Sequence, residues 1–198
     1  MPQIGLKNAR YNVIDFKSKN YSTLPDGKPA IFGRIIDEKF AGEYNSAVLH
    51  CDDILGEEDS SFKKGTLTIT IADDVDEDNA LFSGATITKD GEVTYNVNDI
   101  PIEFGYGHVV TKLVNKVKSF KVEFFPRCKV KTINTDNKTR GENVEFATTT
   151  VESTVLPLDE EINGFSVGDY KKCQTFDTME KAISYLTQLL TPPASIET

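Results

Sequence analysis

Two acidic clusters are the first candidates for chemistry, because imidazole, thiolate and carboxylate groups are the side chains that hold metal ions. The first is the run His50-Cys51-Asp52-Asp53. Neighbouring residues on a strand point to opposite faces, so these four side chains cannot all reach one ion. Only His108 and two isolated cysteines could complete a zinc site. We interpret the run as a strand end with an Asp-rich turn. A metal-dependent binding module or enzyme using His50, Asp52 and Asp53 stays open as an alternative.

The second cluster, Asp74-x-Asp76-x-Asp78, has the spacing of the first ligands of an EF-hand calcium loop. Such a loop needs glycine at position 79 and a bidentate glutamate at position 85, where this chain has Asn79 and Ala85. The cluster is better explained as the start of a helix capped by Asp74, where acidic residues favour the positive end of the helix dipole. The sequence therefore predicts no metal site and no cofactor. No motif assembles a nucleophile, a base and an oxyanion donor, so we expect no enzyme.

Composition limits the class of protein further. A chain of 198 residues predicts one domain, or one domain with appendages. The net charge of −9 argues against a protein that grips nucleic acid through its phosphates, but allows one past which nucleic acid slides. The three widely spaced cysteines predict reduced thiols. No apolar run approaches the ~20 residues of a membrane span, and the N-terminus lacks a signal-peptide pattern, so we expect a cytoplasmic location and no membrane.

The elements that must position any site are mostly strands. Residues 66–71 alternate Thr with Leu or Ile without a fault, which predicts a strand with one buried face, followed by a short acidic helix ending at Gly84. Asp90-Gly91 between two alternating runs predicts a hairpin. Residues 40–46 and 54–62 are polar and predict connecting segments rather than strands.

The C-terminal half predicts the largest hairpin of the chain. Its arms lie within 117–156, with a polar tip at 134–142 and with Pro126 interrupting the ladder. Further on, 177–190 carries apolar residues at helical spacing and predicts a helix with a capping box of Asp177 and Glu180. We therefore predict a mainly β fold, a β-sandwich or barrel-like domain over 1–158. Residues 159–198 would form an extension whose helix packs on the same domain.

Several stretches, taken in order, carry a resemblance to a known family. They are Ile4-Gly5-Leu6-Lys7-Asn8, Val48 to Asp53, Leu67 to Asp73, Tyr95 to Asp99, and Arg140 to Thr150 leading to Thr154-Val155-Leu156-Pro157. Over roughly 4–158 the chain resembles the major tail proteins of long-tailed, non-contractile phages of Gram-positive bacteria. His50-Cys51 departs from the Tyr-Ala expected before the two aspartates, and 159–198 matches less clearly.

The resemblance implies a structural virion protein. Its subunits would be β-sandwich or barrel-like with one helix packed outside. They would close into hexameric rings that stack into a tail tube, through which double-stranded DNA passes at genome ejection. The implied partners are other copies of the chain, a tape-measure protein, and tail-terminator and distal tail proteins. The implied location is the virion tail, assembled in the host cytoplasm. A tail-terminator or a secretion-type tube subunit is the alternative within the same fold.

The alternation of polar and apolar residues on the second hairpin arm predicts a surface that lines the bore or contacts the next ring. A strand lining a water-filled bore carries polar residues on one face and apolar residues on the other. Together with two lysines of the first arm, the candidates are Thr148, Thr150, Glu152, Thr154, Lys129 and Lys131. Because the net charge is −9, we also expect an acidic bore.

Overall fold

The structure, a computed structural model, describes residues 3–22, 28–51, 54–72, 76–114, 116–136 and 148–193. Several sequence-based predictions fall outside these ranges: the cap at Asp74, the aspartates at 52 and 53, most of the tip at 134–142, and the start of the second hairpin arm. Those predictions stay as they were made.

The described residues contain thirteen strands and two helices. The predicted mainly β fold with a short internal helix and a C-terminal helix is confirmed. The strands are β1 (Gln3–Asp15), β2 (Asn20–Tyr21), β3 (Ala30–Ile31), β4 (Ile35–Tyr44), β5 (Ala47–Cys51), β6 (Ile54–Asp59), β7 (Phe62–Ile71), β8 (Thr86–Ile87), β9 (Val93–Thr94), β10 (Glu103–Val114), β11 (Val117–Asp136), β12 (Thr148–Val155) and β13 (Lys172–Phe176). The helices are α1 (Asp76–Ser83) and α2 (Met179–Leu190).

Two segments predicted as connections are strands instead. Residues 40–44 continue β4, and 54–59 form β6, which pairs with β5 in a hairpin of its own. Residues 40–44 include Gly42 and Glu43, and 54–59 include three acidic residues, all of which are types that strand propensity disfavours. Pairing with a neighbouring strand overrides that preference, because the ladder satisfies the backbone whatever the side chains are.

One antiparallel sheet organises the chain. Its strands lie in the order β2-β1-β10-β11-β12-β7-β4, with β3 added on β1 and β13 added on β11. The hairpins β5–β6 and β8–β9 lie outside it. The predicted Asp90-Gly91 turn connects β8 to β9, and Gly91 has a φ of 82°.

The sheet curls so that β4, at one end, packs against strands in its middle. The ring of Phe40 on β4 lies 5.0 Å from the ring of Phe125 on β11. This curvature encloses a first core rich in aromatic side chains, and α1 covers it with Phe82, whose ring lies 4.8 Å from that of Tyr11. Burying each such side chain contributes about 1.5–3 kcal/mol. Gly84 ends α1 as predicted, with a φ of 73°.

A second core lies on the other face of β1, β10 and β11, where α2 packs. Its buried residues on the helix are Ala182, Leu186, Leu189 and Leu190. The amide of Asn12 fastens the end of the helix by donating to the carbonyl of Leu190 at 2.9 Å.

The start of α2 differs from the predicted capping box. Thr178 is the N-cap, and its hydroxyl accepts the backbone N–H of Lys181. Asp177 instead pairs with the ammonium group of Lys181 at 3.0 Å. Thr and Asp are both good caps, so sequence alone could not decide between adjacent candidates. The second core draws residues from both sides of position 158, and the division into 1–158 and 159–198 stays a prediction.

β11 is the longest strand, and it changes partner along one edge. That edge pairs with β13 over Phe120–Phe124 and with β12 from Cys128 onward. Pro126 lies between the two partners, where the ladder to β10 also shifts register. The predicted interruption is therefore a bulge within a continuous strand. Within the predicted hairpin 117–156, the residues that pair with each other are 128–136 and 148–155.

Candidate assembly surface

β12 separates its residues cleanly between two faces. Val151 and Val155 are buried in the first core, with Thr149 and Ser153 buried on the same face. The candidate residues of this strand are half-buried on the opposite face: Thr148, Thr150, Glu152 and Thr154. The structure thus brings these four together on one outward surface, and their role in lining a bore stays a prediction.

The same outward surface continues onto β7. The register pairs Thr150 with Thr70, Glu152 with Thr68, and Thr154 with Thr66. The hydroxyl oxygens of Thr70 and Thr150 lie 3.4 Å apart. β-branched side chains opposite one another shield each other, which explains why this face is half-buried although no core covers it. We name the surface formed by the outward residues of β4, β7, β12 and the second half of β11 the threonine face.

Lys129 and Lys131 border the threonine face on β11. The ammonium group of Lys131 lies 2.6 Å from a carboxylate oxygen of Glu152. That of Lys129 lies 3.7 Å from Glu103, which also pairs with Arg127 at 2.6 Å. Lys131 is the extra residue of a bulge between Val130 and Thr132, which keeps it outward beside Glu152. The candidate lysines therefore neutralise carboxylates.

The threonine face does not supply the acidic surface that we expected for a bore. Its described charges are Asp37, Glu43 and Glu152 against Lys39, Lys64, Lys129 and Lys131. Lys64 and Glu43 also pair, at 3.5 Å. Net charge is a property of the whole chain and does not say where the charges lie, and this surface is close to neutral. An acidic bore in the assembled tube stays a prediction, and it would require acidic residues outside this face.

The threonine face ends at a free strand edge. β4 is ten residues long and pairs with β7 along one edge, while no described strand pairs with its other edge. A row of unpaired backbone donors and acceptors is a template for another strand. Ile36, the extra residue of a bulge in β4, and Tyr44 at its end are both exposed.

Buried side chains hold β4 to the middle of the sheet. Glu38 on β4 and His108 on β10 have side chains only 7% and 2% exposed, and a carboxylate oxygen of Glu38 lies 2.7 Å from Nδ1 of His108. This is a close polar contact whose geometry is not that of an aligned hydrogen bond. The hydroxyl of Tyr106 donates to the same oxygen at 3.4 Å. Burial, with the charge of Glu38, raises the pKa of Tyr106 above its usual range, so it stays a donor.

Next to this contact, Glu123 joins two lysines. Its carboxylate lies 2.6 Å from the ammonium group of Lys121 and 2.5 Å from that of Lys171. Burial would raise the pKa of Glu123, but these two ammonium groups outweigh it and lower the pKa to about 2. The Lys171 ammonium group also lies 5.1 Å from the centre of the Phe40 ring on β4. The cluster therefore fixes the segment before β13 against both β11 and β4.

Sequence reasoning missed both clusters, since it considered His108 only as a distant metal partner. Tyr106, His108 and Val110 alternate on β10, which places His108 on a face turned towards the inside of the curl. That pattern could have predicted a buried histidine needing a polar partner. It could not have named Glu38, because that contact crosses strands that are not neighbours in the sheet.

The other chemical candidates are less informative. The side chain of His50 and residues 52–53 lie outside what the structure describes, so that metal hypothesis stays untested. Among the described residues, no group of three or more His, Cys, Asp or Glu side chains is placed to hold an ion. Cys128 is buried, which raises the pKa of its thiol, and Cys173 is an exposed free thiol. No helix in the described ranges has the length and apolarity needed to cross a membrane.

Comparison with solved structures finds a distant likeness. The chain resembles the SPP1 tail tube, a structure determined by solid-state NMR and cryo-EM, over 92% of this chain and 86% of that one. The identity is 11% and the TM-score is 0.45. No protein-family profile matches the chain, and no curated protein matches it in sequence.

Proposed function

We propose that this protein is the structural subunit of a phage tail tube of the long, non-contractile type. Its copies would associate edge to edge into rings of six subunits, the number that the family resemblance implies, and the rings would stack around a bore. The observation that carries the proposal is that the threonine face ends at the free edge of β4. A polar sheet surface that ends at an open edge is suited to continue into the next subunit.

The chemistry of the threonine face supports a bore through which DNA moves without binding. Hydroxyl groups dominate this face, Lys64 and Lys131 are paired with carboxylates, and the described charges leave a surplus of only one positive charge for the phosphates. Strong attraction would retain the polymer, and strong repulsion would oppose its entry. A near-neutral hydroxylated wall avoids both effects.

Ring closure explains why one edge of β4 has no described partner strand within the subunit. A closed ring of subunits has no free edges, because each open edge is covered by the next copy. The proposal includes the partners implied by the resemblance, namely a tape-measure protein, a tail-terminator and distal tail proteins, and a final location in the virion tail.

The first test is whether the purified chain forms rings or tubes under the electron microscope. We expect tubes of uniform diameter, together with slower amide hydrogen exchange in 35–44 on assembly. The exchange of 16–19, an exposed turn between β1 and β2 at the other end of the strand order, serves as the control. A chain that remains monomeric at every concentration, with or without a tape-measure partner, refutes the proposal.

The second test asks whether the threonine face lines the bore. Thr150→Cys is made in a Cys173→Ser background, because Cys173 is an exposed thiol. In tubes, a small maleimide should label position 150, whereas a maleimide attached to a large dextran should not. Ser184→Cys, on an exposed position of α2, should accept both reagents. Equal labelling of position 150 by both reagents in tubes would place the face outside.

Each alternative function predicts its own experimental result. A tail-terminator gives single rings that do not stack. A secretion-type tube subunit gives the same tubes, and only the identity of the partners distinguishes it. For the metal hypothesis, stoichiometric metal in the purified protein, lost in His50→Ala together with a measurable activity, would favour an enzyme or binding module instead.

A further inference from the structure

Residues 76–100, which we name the acidic lobe, contain five of the eleven exposed large hydrophobic residues in the described part of the chain. The segment comprises α1, the β8–β9 hairpin and the turn that follows. Its exposed large hydrophobic residues are Leu81, Ile87, Tyr95, Val97 and Ile100, with Val97 98% exposed. The lobe carries six acidic residues and Lys89, a formal charge of −5. Exposed apolar surface rimmed by charge indicates an interaction site.

The acidic lobe is a structured part of the molecule. The backbone N–H of Ile102 donates to the carbonyl of Phe82 at 3.3 Å, which joins the end of the lobe to α1. Its last turn is closed by the carboxylate of Asp99, which accepts the backbone N–H of Asn96 at 2.6 Å. The exposed Val97 is therefore presented by a formed turn, which lowers the entropy cost of binding.

The connection between β10 and β11 has the opposite charge. We name Lys112, Lys116, Val117 and Lys118 the basic tip. Among the described residues of 112–118 there is no acidic side chain, and the three lysines give a formal charge of +3. Val117 is 68% exposed between two exposed lysines. The tip therefore offers what the lobe lacks, positive charge around an apolar side chain.

β10 sets the separation of the two surfaces. The acidic lobe leads into its first residue, Glu103, and the basic tip follows its last, Val114. A strand of 12 residues extends roughly 40 Å, at about 3.3 Å per residue. The two surfaces thus lie at opposite ends of a rigid strand and cannot meet within one chain. A second copy shifted along this direction would bring them together.

We propose that the basic tip of one copy docks on the acidic lobe of the next copy along the tube. The contact is heterologous, because each copy uses two different surfaces, and such contacts repeat without closing. This proposal rests on the proposed function and specifies its ring-to-ring contact. The charges select the partner and its direction, and Val117 with the apolar residues of the lobe gives the contact area.

A charge exchange between the two surfaces tests the proposal. One variant carries Lys116→Glu and Lys118→Glu, which changes the charge of the tip from +3 to −1. The other changes the charge of the lobe from −5 to +1. It carries Asp90→Lys, Glu92→Lys, Thr94→Lys and Asn98→Lys. All six positions are exposed. Each variant alone would face like charges at every stacking contact, and we expect a rise of about a hundredfold in the critical concentration for tubes. An equimolar mixture should restore tubes, because every contact between the two variants again joins opposite charges.

The control is Lys17→Glu with Lys28→Glu, which changes the net charge by the same −4 as the first variant, at exposed positions outside both surfaces. It should stack like the parent chain. Circular dichroism verifies folding, and sedimentation with electron microscopy distinguishes free subunits, single rings and tubes. Variants that stack normally alone, or a mixture that does not recover although both variants form rings, overturn the docking proposal and leave the ring proposal standing. A parent chain that forms neither rings nor tubes overturns the proposed function itself.

Discussion

The buried carboxylate of Glu123 offers the sharpest test of the side-chain clusters that shape the curl. In Glu123→Gln the two neighbouring ammonium groups lose their counter-charge. The pKa falls from 4.5 to about 2 in the folded chain, which corresponds to about 3 kcal/mol. Lys121 and Lys171 are each 23% exposed and keep part of their hydration, so we expect a loss of about 2 kcal/mol at pH 7.

The effect has a defined pH dependence. Because folding lowers the pKa of Glu123, its stabilisation is fully present above about pH 4.5 and is lost as the pH falls towards 2. The free energy of unfolding, measured in urea, should therefore differ by about 2 kcal/mol at pH 7. At pH 3 the difference should fall below about 1 kcal/mol.

Glu152→Gln is the matched control for this experiment. Glu152 also pairs with a lysine at 2.6 Å, but its partner Lys131 is exposed, so the change should cost no more than about 0.5 kcal/mol. Equal losses for the two variants, or a difference between Glu123→Gln and the parent chain that stays constant from pH 7 to pH 3, would refute the reasoning.

Three further predictions concern stability. Val151→Ala should cost about 2 kcal/mol in urea unfolding, and Thr150→Ala less than about 0.5 kcal/mol; equal effects would contradict the assignment of the two faces. Gly107→Ala would place a Cβ atom 2.5 Å from Cδ1 of Leu186 and should cost about 1–3 kcal/mol. Adding Leu186→Ala should cost less than the sum of the single changes, and strict additivity would exclude this clash. Thr178→Ala should cost about 1 kcal/mol in thermal unfolding, and no change would deny it the N-cap role.

Local periodicity predicted those parts of the fold in which one strand has one buried face. The alternation in β7 and β12 follows from a sheet with a core on one side, and a period of two is enough to read it. The helix α2 could also be predicted from the sequence, because its apolar stripe is long and ends before Pro192. In each case the physical cause lies within a dozen consecutive residues.

The parts that were missed depend on contacts between distant segments. β4 extends to Tyr44 because it pairs with β7, and its own polar residues do not predict a strand. The contact of Glu38 with His108 joins strands at the end and in the middle of the sheet order, which no short pattern encodes. The sequence of each strand was therefore enough to predict which residues face outward. The near-neutral charge of the surface could not be predicted in this way, because Lys131 and Lys64 are paired with carboxylates on other strands.

The free edge of β4 must also avoid premature pairing, and its residues suggest how. Asp37, Lys39 and Glu43 alternate in sign along the strand, so a partner with the wrong register would meet like charges. The bulge at Ile36 breaks the regular spacing of the edge near its start. Charge and irregular spacing are devices that keep edge strands from aggregating. An edge of this kind remains available to a partner that matches its charges, which is the property that a subunit of a ring requires.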